Sequence, residues 1–291
     1  MTVTVAVFVI LSSIVSSIIS ATFSMGGASV LLGLLFLVVP DTHVAMVFHG
    51  ILCICSNSFR SVAFFSSVNW RLVATIALGS LFAFGLLTLA SIKLPKLAIF
   101  LMMGMLPYVN LFIPESKHFN MNKLKPSITV GFFTGLSHLL CGVSATFMHI
   151  FFKRHELSKE SMVGTVAVLQ VYLNVLKVIY FGNFLVFHGV ETFGVVTTYA
   201  LIVSVIGSYM GTNLGKSILS KMSQSVFNVM SQNVQVIIGL SFFSKAIFLA
   251  STQIEWILFF IFTSALFLAL TINVFFAYKK HAGQVLMKDR F

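Results

Sequence analysis

Residues 1–39 read MTVTVAVFVILSSIVSSIISATFSMGGASVLLGLLFLVV, and no charged side chain interrupts the run. About 20 apolar residues suffice to cross a hydrocarbon core, so this stretch is too long for one straight helix. The cluster Ser24-Met25-Gly26-Gly27-Ala28-Ser29 divides it, and Pro40-Asp41 ends it. Two apolar pieces around a small-residue break are the pattern of a discontinuous or re-entrant helix. Its irregular backbone has to be buried in protein or line a cavity. A glycine kink in an ordinary spanning helix would leave a similar trace.

The rest of the chain has the same character. Among 291 residues, 58% are apolar and only 9% charged, with 32 phenylalanines. A soluble domain carries about a quarter charged residues. Further uncharged runs lie between Leu72 and Ile92, Ser127 and Phe152, Thr192 and Gly215, Met222 and Ser244, and Trp256 and Tyr278. The expected fold is an all-α polytopic membrane protein with about 7–9 transmembrane segments. The N-terminus lacks a basic region and a small-residue cleavage site, so Thr2 to Thr22 reads as a mature segment.

Two related halves are legible. The first repeat covers residues 1–113, a polar connector 114–126, and the second repeat 127–250. A C-terminal helix over 254–280 and a basic tail over 281–291 follow. The second half opens as the first does, with an apolar run broken at Cys141-Gly142-Val143-Ser144 and ended by Lys153-Arg154-His155-Glu156. Adding 117 carries Cys53 onto Gln170, Asn57 onto Asn174 and Arg60 onto Lys177 without a gap. A longer loop then shifts the offset to 122, pairing Gly85 with Gly207. Such colinear matches point to internal duplication. If the opening segments dip in and return, the Lys117, Lys123 and Lys125 loop falls on the cytoplasmic side, as loop cations prefer. Each half then crosses three times, so the repeats have inverted topology; Lys93 and Lys96 alone break the charge rule.

The net charge of +11 sits in connectors and the C-terminal tail, as expected for solvated loops at a lipid surface and not for nucleic-acid binding. Arg60 and Lys177 are the exceptions, each lying inside a predicted span. A mid-membrane cation costs about 2.5–3.5 kcal/mol on insertion scales and turns toward a cavity or partner. All seven carboxylates fall in connectors or at segment ends. The missing negative charge is therefore a mobile one, a small anionic substrate, unless each cation snorkels to an interface. Asn57, Asn174, Gln170 and His49 share helical faces with the cations. The turns at Gly26, Gly27 and Gly142 would aim helix N-termini at an anion, with Ser29 and Ser144 adding hydroxyl donors. A competing soft-ligand set, His49 with Cys53 and His138 with Cys141, spaced four and three apart, would suit a transition-metal or thiol-compound transporter, and a non-transporting membrane scaffold is a third reading. A complete site wants three or four ligands, and buried cysteine usually behaves as a small hydrophobe. No cofactor or catalytic motif is visible, so the chain is not read as an enzyme. A homodimer is compatible with this composition.

Several short stretches resemble the TauE/SafE sulfite exporter family: Met25-Gly26-Gly27, Pro40, Val68-Asn69-Trp70-Arg71-Leu72, Gly131-Phe132-Phe133-Thr134-Gly135, and Ile206-Gly207-Ser208-Tyr209-Met210-Gly211-Thr212. The resemblance covers roughly residues 5 to 250. It implies an inner-membrane permease of two related halves, exporting sulfite, sulfonates or related sulfur-containing anions. Here His49-Gly50 stands where the family usually has Thr-Ser, and Asn69 where it has Asp.

Overall fold

The computed structural model describes residues 3–39, 41–90, 92, 94–108, 121, 123–142, 144–154, 157–187 and 195–250. Pro40, most of the connector over 114–126, the C-terminal helix and the basic tail lie outside them. The described chain is 90% helical, without a strand. Its ten helices are α1 (Val3–Phe23), α2 (Gly27–Val38), α3 (Thr42–Ala63), α4 (Trp70–Ala90), α5 (Lys96–Met105), α6 (Leu124–Cys141), α7 (Ala145–Arg154), α8 (Lys159–Phe187), α9 (Val195–Lys221) and α10 (Gln224–Leu249). By length and composition five of them can cross a membrane: α1, α3, α4, α10 and the Lys159–Asn183 part of α8. The all-α polytopic membrane fold is therefore as expected.

The break in the opening run is real. α1 stops at Phe23, Ser24 takes a left-handed φ of 67° and Gly26 one of 86°, and α2 starts at Gly27. The helix thus resumes inside the cluster of small residues, at Gly27. α2 then folds back along α1. A Cβ on Gly27 would lie 1.9 Å from the Ser16 carbonyl oxygen, an approach only glycine permits. Leu31 and Leu35 of α2 share a core cluster with Val9 of α1, with Val5 and Val38 packed against it. A kink would have kept the two pieces roughly collinear; this geometry is a hairpin.

The second half repeats the device. α6 begins at Leu124, with Pro126 in its first turn, where a missing N–H costs nothing. It ends at Cys141, and Gly142 caps it at φ 80° by donating its N–H to the His138 carbonyl at 2.8 Å. Ten residues of α7 follow.

Pairing the helices of the halves in order, α1 to α5 with α6 to α10, maps the packing onto itself. α1 lies along α9, and correspondingly α6 lies along α4; α3 packs on α8, and α5 on α10. The pattern is reciprocal, with α3 and α8 paired with each other. Each opening helix docks mainly on the opposite half. The outer faces of α4 and α9 expose Leu78, Leu81, Phe82 and Leu86, and Ile202, Ile206, Met210 and Leu214. Such rows face lipid, leaving α3 and α8 at the centre. There the packing is antiparallel: Gly50 lies on Asn174, Lys177 and Val178, whereas Gly164 lies on Phe64 and Val68.

Candidate functional site

Spacings of four, four and three put His49, Cys53, Asn57 and Arg60 on one stripe of α3, and all four are buried. Asp41 fixes the start of that helix by accepting from the Val44 N–H at 2.9 Å. On α8, Gln170, Asn174 and Lys177 form the matching stripe, also buried. Lys177 is 0% exposed and Arg60 is 3% exposed, which removes the snorkelling reading for both. Among the described residues the ion pairs are His43–Asp41 and Lys159–Glu160. No carboxylate is paired with either buried cation there.

Lys177 reaches from α8 to the hairpin tips of both halves. Its Nζ donates to His49 Nδ1 at 2.6 Å and to the Gly142 carbonyl at 3.1 Å. His49 Nε2 donates to the Ala28 carbonyl in the first turn of α2, 2.8 Å away. A carbonyl only accepts, so Nε2 carries the imidazole proton and Nδ1 is left to accept from Lys177. The left-handed turn at Gly142 spends its N–H on the cap, freeing its carbonyl for the ammonium. The sequence suggested that this turn would offer donors to an anion; in the structure its carbonyl serves the cation.

Beside this cluster, Ser144 Oγ accepts from Gln170 Nε2 at 3.0 Å and meets His138 Nδ1 at 3.1 Å. Asn174 Nδ2 donates to the Gln170 carbonyl at 2.7 Å, which fixes the orientation of the amide. Its Oδ1 and His138 Nε2 are both buried, and these two side chains meet each other. Ser29 is buried in the first turn of α2. Six of the expected site residues thus converge: Lys177, His49, Gly142, Ser144, Gln170 and Asn174.

Arg60 and Asn57 do not join them. Arg60 donates through Nη2 to Asn57 Oδ1 on its own helix, and its Nε has no partner among the described residues. Lys177 sits level with Gly50, and Arg60 lies ten residues further along α3, about 15 Å at 1.5 Å per residue. Met25, in the first break, shares a core cluster with Phe64, one turn beyond Arg60. The second break lies toward the other end of α3, with Gly142 against Met46 and Leu32.

The soft-ligand set is only half assembled. Cys53 Sγ lies 3.3 Å from His49 Nε2. Cys141, however, donates to the Ser137 carbonyl at 2.8 Å, and His138 turns to Ser144. Among the described residues no group of three or more His, Cys, Asp or Glu is placed to hold a metal. Two contributors had no signal in the sequence reading. The Ala28 carbonyl is main chain, and Gly50 matters through what it leaves out.

Among the described residues, long apolar helices and two helices broken at Gly26 and Gly142 define a multi-pass membrane protein. The sulfite exporter TauE/SafE family matches residues 9–242, and the chain belongs to that family. Its members are membrane transporters, not enzymes. No curated protein and no solved structure matches the chain.

Proposed function

We propose that this protein is a secondary transporter that exports a small sulfur-containing anion, sulfite or a sulfonate, across the inner membrane of the cell. The observation that carries this reading is Lys177: fully buried between the halves, bound only to neutral acceptors, at the tip of a broken helix. A lone buried charge is costly unless something neutralises it. A passing anion does so, and the family supplies the sulfur oxyanion class. Lys177 has three donors and two are used, so one N–H is left for the substrate. His49 and Gly142 hold the ammonium in place, and Gln170, Ser144 and Asn174 supply the polar wall. Among the described residues no buried carboxylate is available as a proton relay. An inside-negative potential alone favours anion exit by about 2.3 kcal/mol per charge per 100 mV.

The test is flux of sulfite and sulfoacetate in proteoliposomes, comparing wild type with Lys177→Ala, Arg60→Ala and Cys53→Ala. Loss of flux in the cation variants with retention in Cys53→Ala supports the reading. Undiminished flux in both cation variants sinks it, and loss confined to Cys53→Ala favours soft-ligand transport.

A further inference from the structure

The internal duplication makes Arg60 the counterpart of Lys177, and the fold keeps the two apart. The Lys177 ammonium sits at His49 and the Arg60 guanidinium at Asn57, eight residues and so about 12 Å apart along α3 at 1.5 Å per residue. Both are committed locally, Lys177 to His49 and Gly142, and Arg60 to Asn57. A sulfite-sized ion is a few ångströms across, so with these partners it cannot touch both heads at once.

We propose that the protein holds two anion stations in series, one at Lys177 and one at Arg60, at matching positions in the two halves. The inference rests on the anion-transport reading above and adds its stoichiometry and route. Each station keeps an unmet hydrogen-bonding demand. Arg60 has its Nε buried without a partner while Nη2 is held by Asn57, so an unbonded edge of the guanidinium remains for an oxyanion. At Lys177 one ammonium N–H is free. Asn174, one turn away on the same face, is already met by the His138 imidazole, so the unmet demand at this station is the ammonium N–H.

The route between the stations is also built. Cys53 and Asn57 lie between His49 and Arg60 on the same stripe of α3. The tips of both hairpins meet the Lys177 station, Gly142 through Lys177 itself and Ala28 through His49, and leave Arg60 outside that closure. An anion bound at one station is electrostatically repelled by an anion at the next, which keeps either from being a trap.

The experiment counts bound radiolabelled sulfite on the full chain in lipid nanodiscs, by equilibrium dialysis at saturation. Two ions per wild-type chain are expected, one in Arg60→Gln, one in Lys177→Gln and none in the double variant. Arg60→Lys should restore the second ion, and size-exclusion profiles confirm that each variant is folded. One ion per wild-type chain, lost in both single variants, would establish a shared site and overturn the two-station proposal while leaving anion transport intact. One ion per chain, indifferent to Arg60→Gln, would make Arg60 structural and overturn it equally. No binding together with no flux of sulfite would remove the transport reading as well.

Discussion

Gly50 is the position where one methyl group tests the site. On Gly50 a Cβ would stand 2.6 Å from Val178 Cγ2, 3.2 Å from Lys177 Cε and 3.6 Å from the Asn174 carbonyl oxygen. Ordinary carbon contacts are about 3.5–4.0 Å, so Gly50→Ala asks for about 1 Å at the centre of the α3–α8 interface. Val178 is β-branched and strongly restricted at χ1 in a helix, so it has little room to swing aside. Overpacking of this kind costs about 1–3 kcal/mol, partly offset by about 1 kcal/mol of helix propensity when alanine replaces glycine. The expected net loss of stability is up to about 2 kcal/mol. The methyl also presses on the arm that holds the ammonium 2.6 Å from His49. Sulfite flux should therefore fall further than stability alone accounts for. Val178→Ala removes the clashing methyl, and the double variant should regain most of both. A double-mutant cycle scored by thermal unfolding in detergent and by proteoliposome flux measures this, with an expected coupling of about 1–2 kcal/mol. Wild-type flux and melting temperature in Gly50→Ala, or no rescue by Val178→Ala, would refute the packing argument and the placement of Lys177 with it.

Other positions give independent checks. His49→Ala removes the acceptor for Lys177; a hydrogen bond to a charged group is worth about 1.5–3 kcal/mol, so sulfite flux should drop about 10- to 100-fold with the chain still folded. Gly79→Ala places a methyl 2.1 Å from the Ile128 carbonyl, which is backbone and cannot yield, so it should lower stability in detergent melts by about 1–3 kcal/mol. Gly85→Ala on the same helix meets nothing within 4 Å and should raise stability by up to about 1 kcal/mol, making the pair a control for each other. Asp41→Ala deletes the cap at the start of α3 and should cost about 0.5–2 kcal/mol in the same melts.

Much of this architecture was readable from residue chemistry that acts locally. Gly26 and Gly142 mark the breaks because their backbone angles lie where L side chains are strained, and such requirements leave a trace in one position of the sequence. The colinear match of Asn57 and Arg60 with Asn174 and Lys177 suggested a duplication, and uncharged length revealed the spans. What stayed hidden depends on register between distant helices. Nothing in the order of residues says that Gly50 meets Lys177 and Gly164 meets Phe64, yet that antiparallel register is what sets the two cations apart. The sequence reading gathered Arg60 and Lys177 around one ion because equivalent residues invite the assumption of a common pocket. His49 was noticed as a site residue, but its partner was out of reach, since the Ala28 carbonyl that fixes its tautomer belongs to every residue type alike. Cys141 illustrates the reverse case, a soft ligand by type whose thiol is occupied by its own helix at the Ser137 carbonyl.

The cross-packing of the opening helices has a consequence for how the chain is made. Gly211 and Gly215 of α9 seat against Ile14, Ile18 and Thr22 of α1, so α1 finds its main neighbour only about 200 residues later. At about 5–20 residues per second, that is a wait on the order of 10–40 s. During this interval α1 lacks its α9 cover, with α2 on Ser16 and Ser20 and Ser56 of α3 on Ser17 as its earlier neighbours. Ser12 and Ser13 bond back to carbonyls one turn earlier, which keeps those hydroxyls satisfied within the helix itself. The nascent first half is thus a species that the insertion machinery must shelter rather than a module that finishes itself. Splitting the gene at the connector should give two fragments that are unstable apart and recover function only when synthesised together.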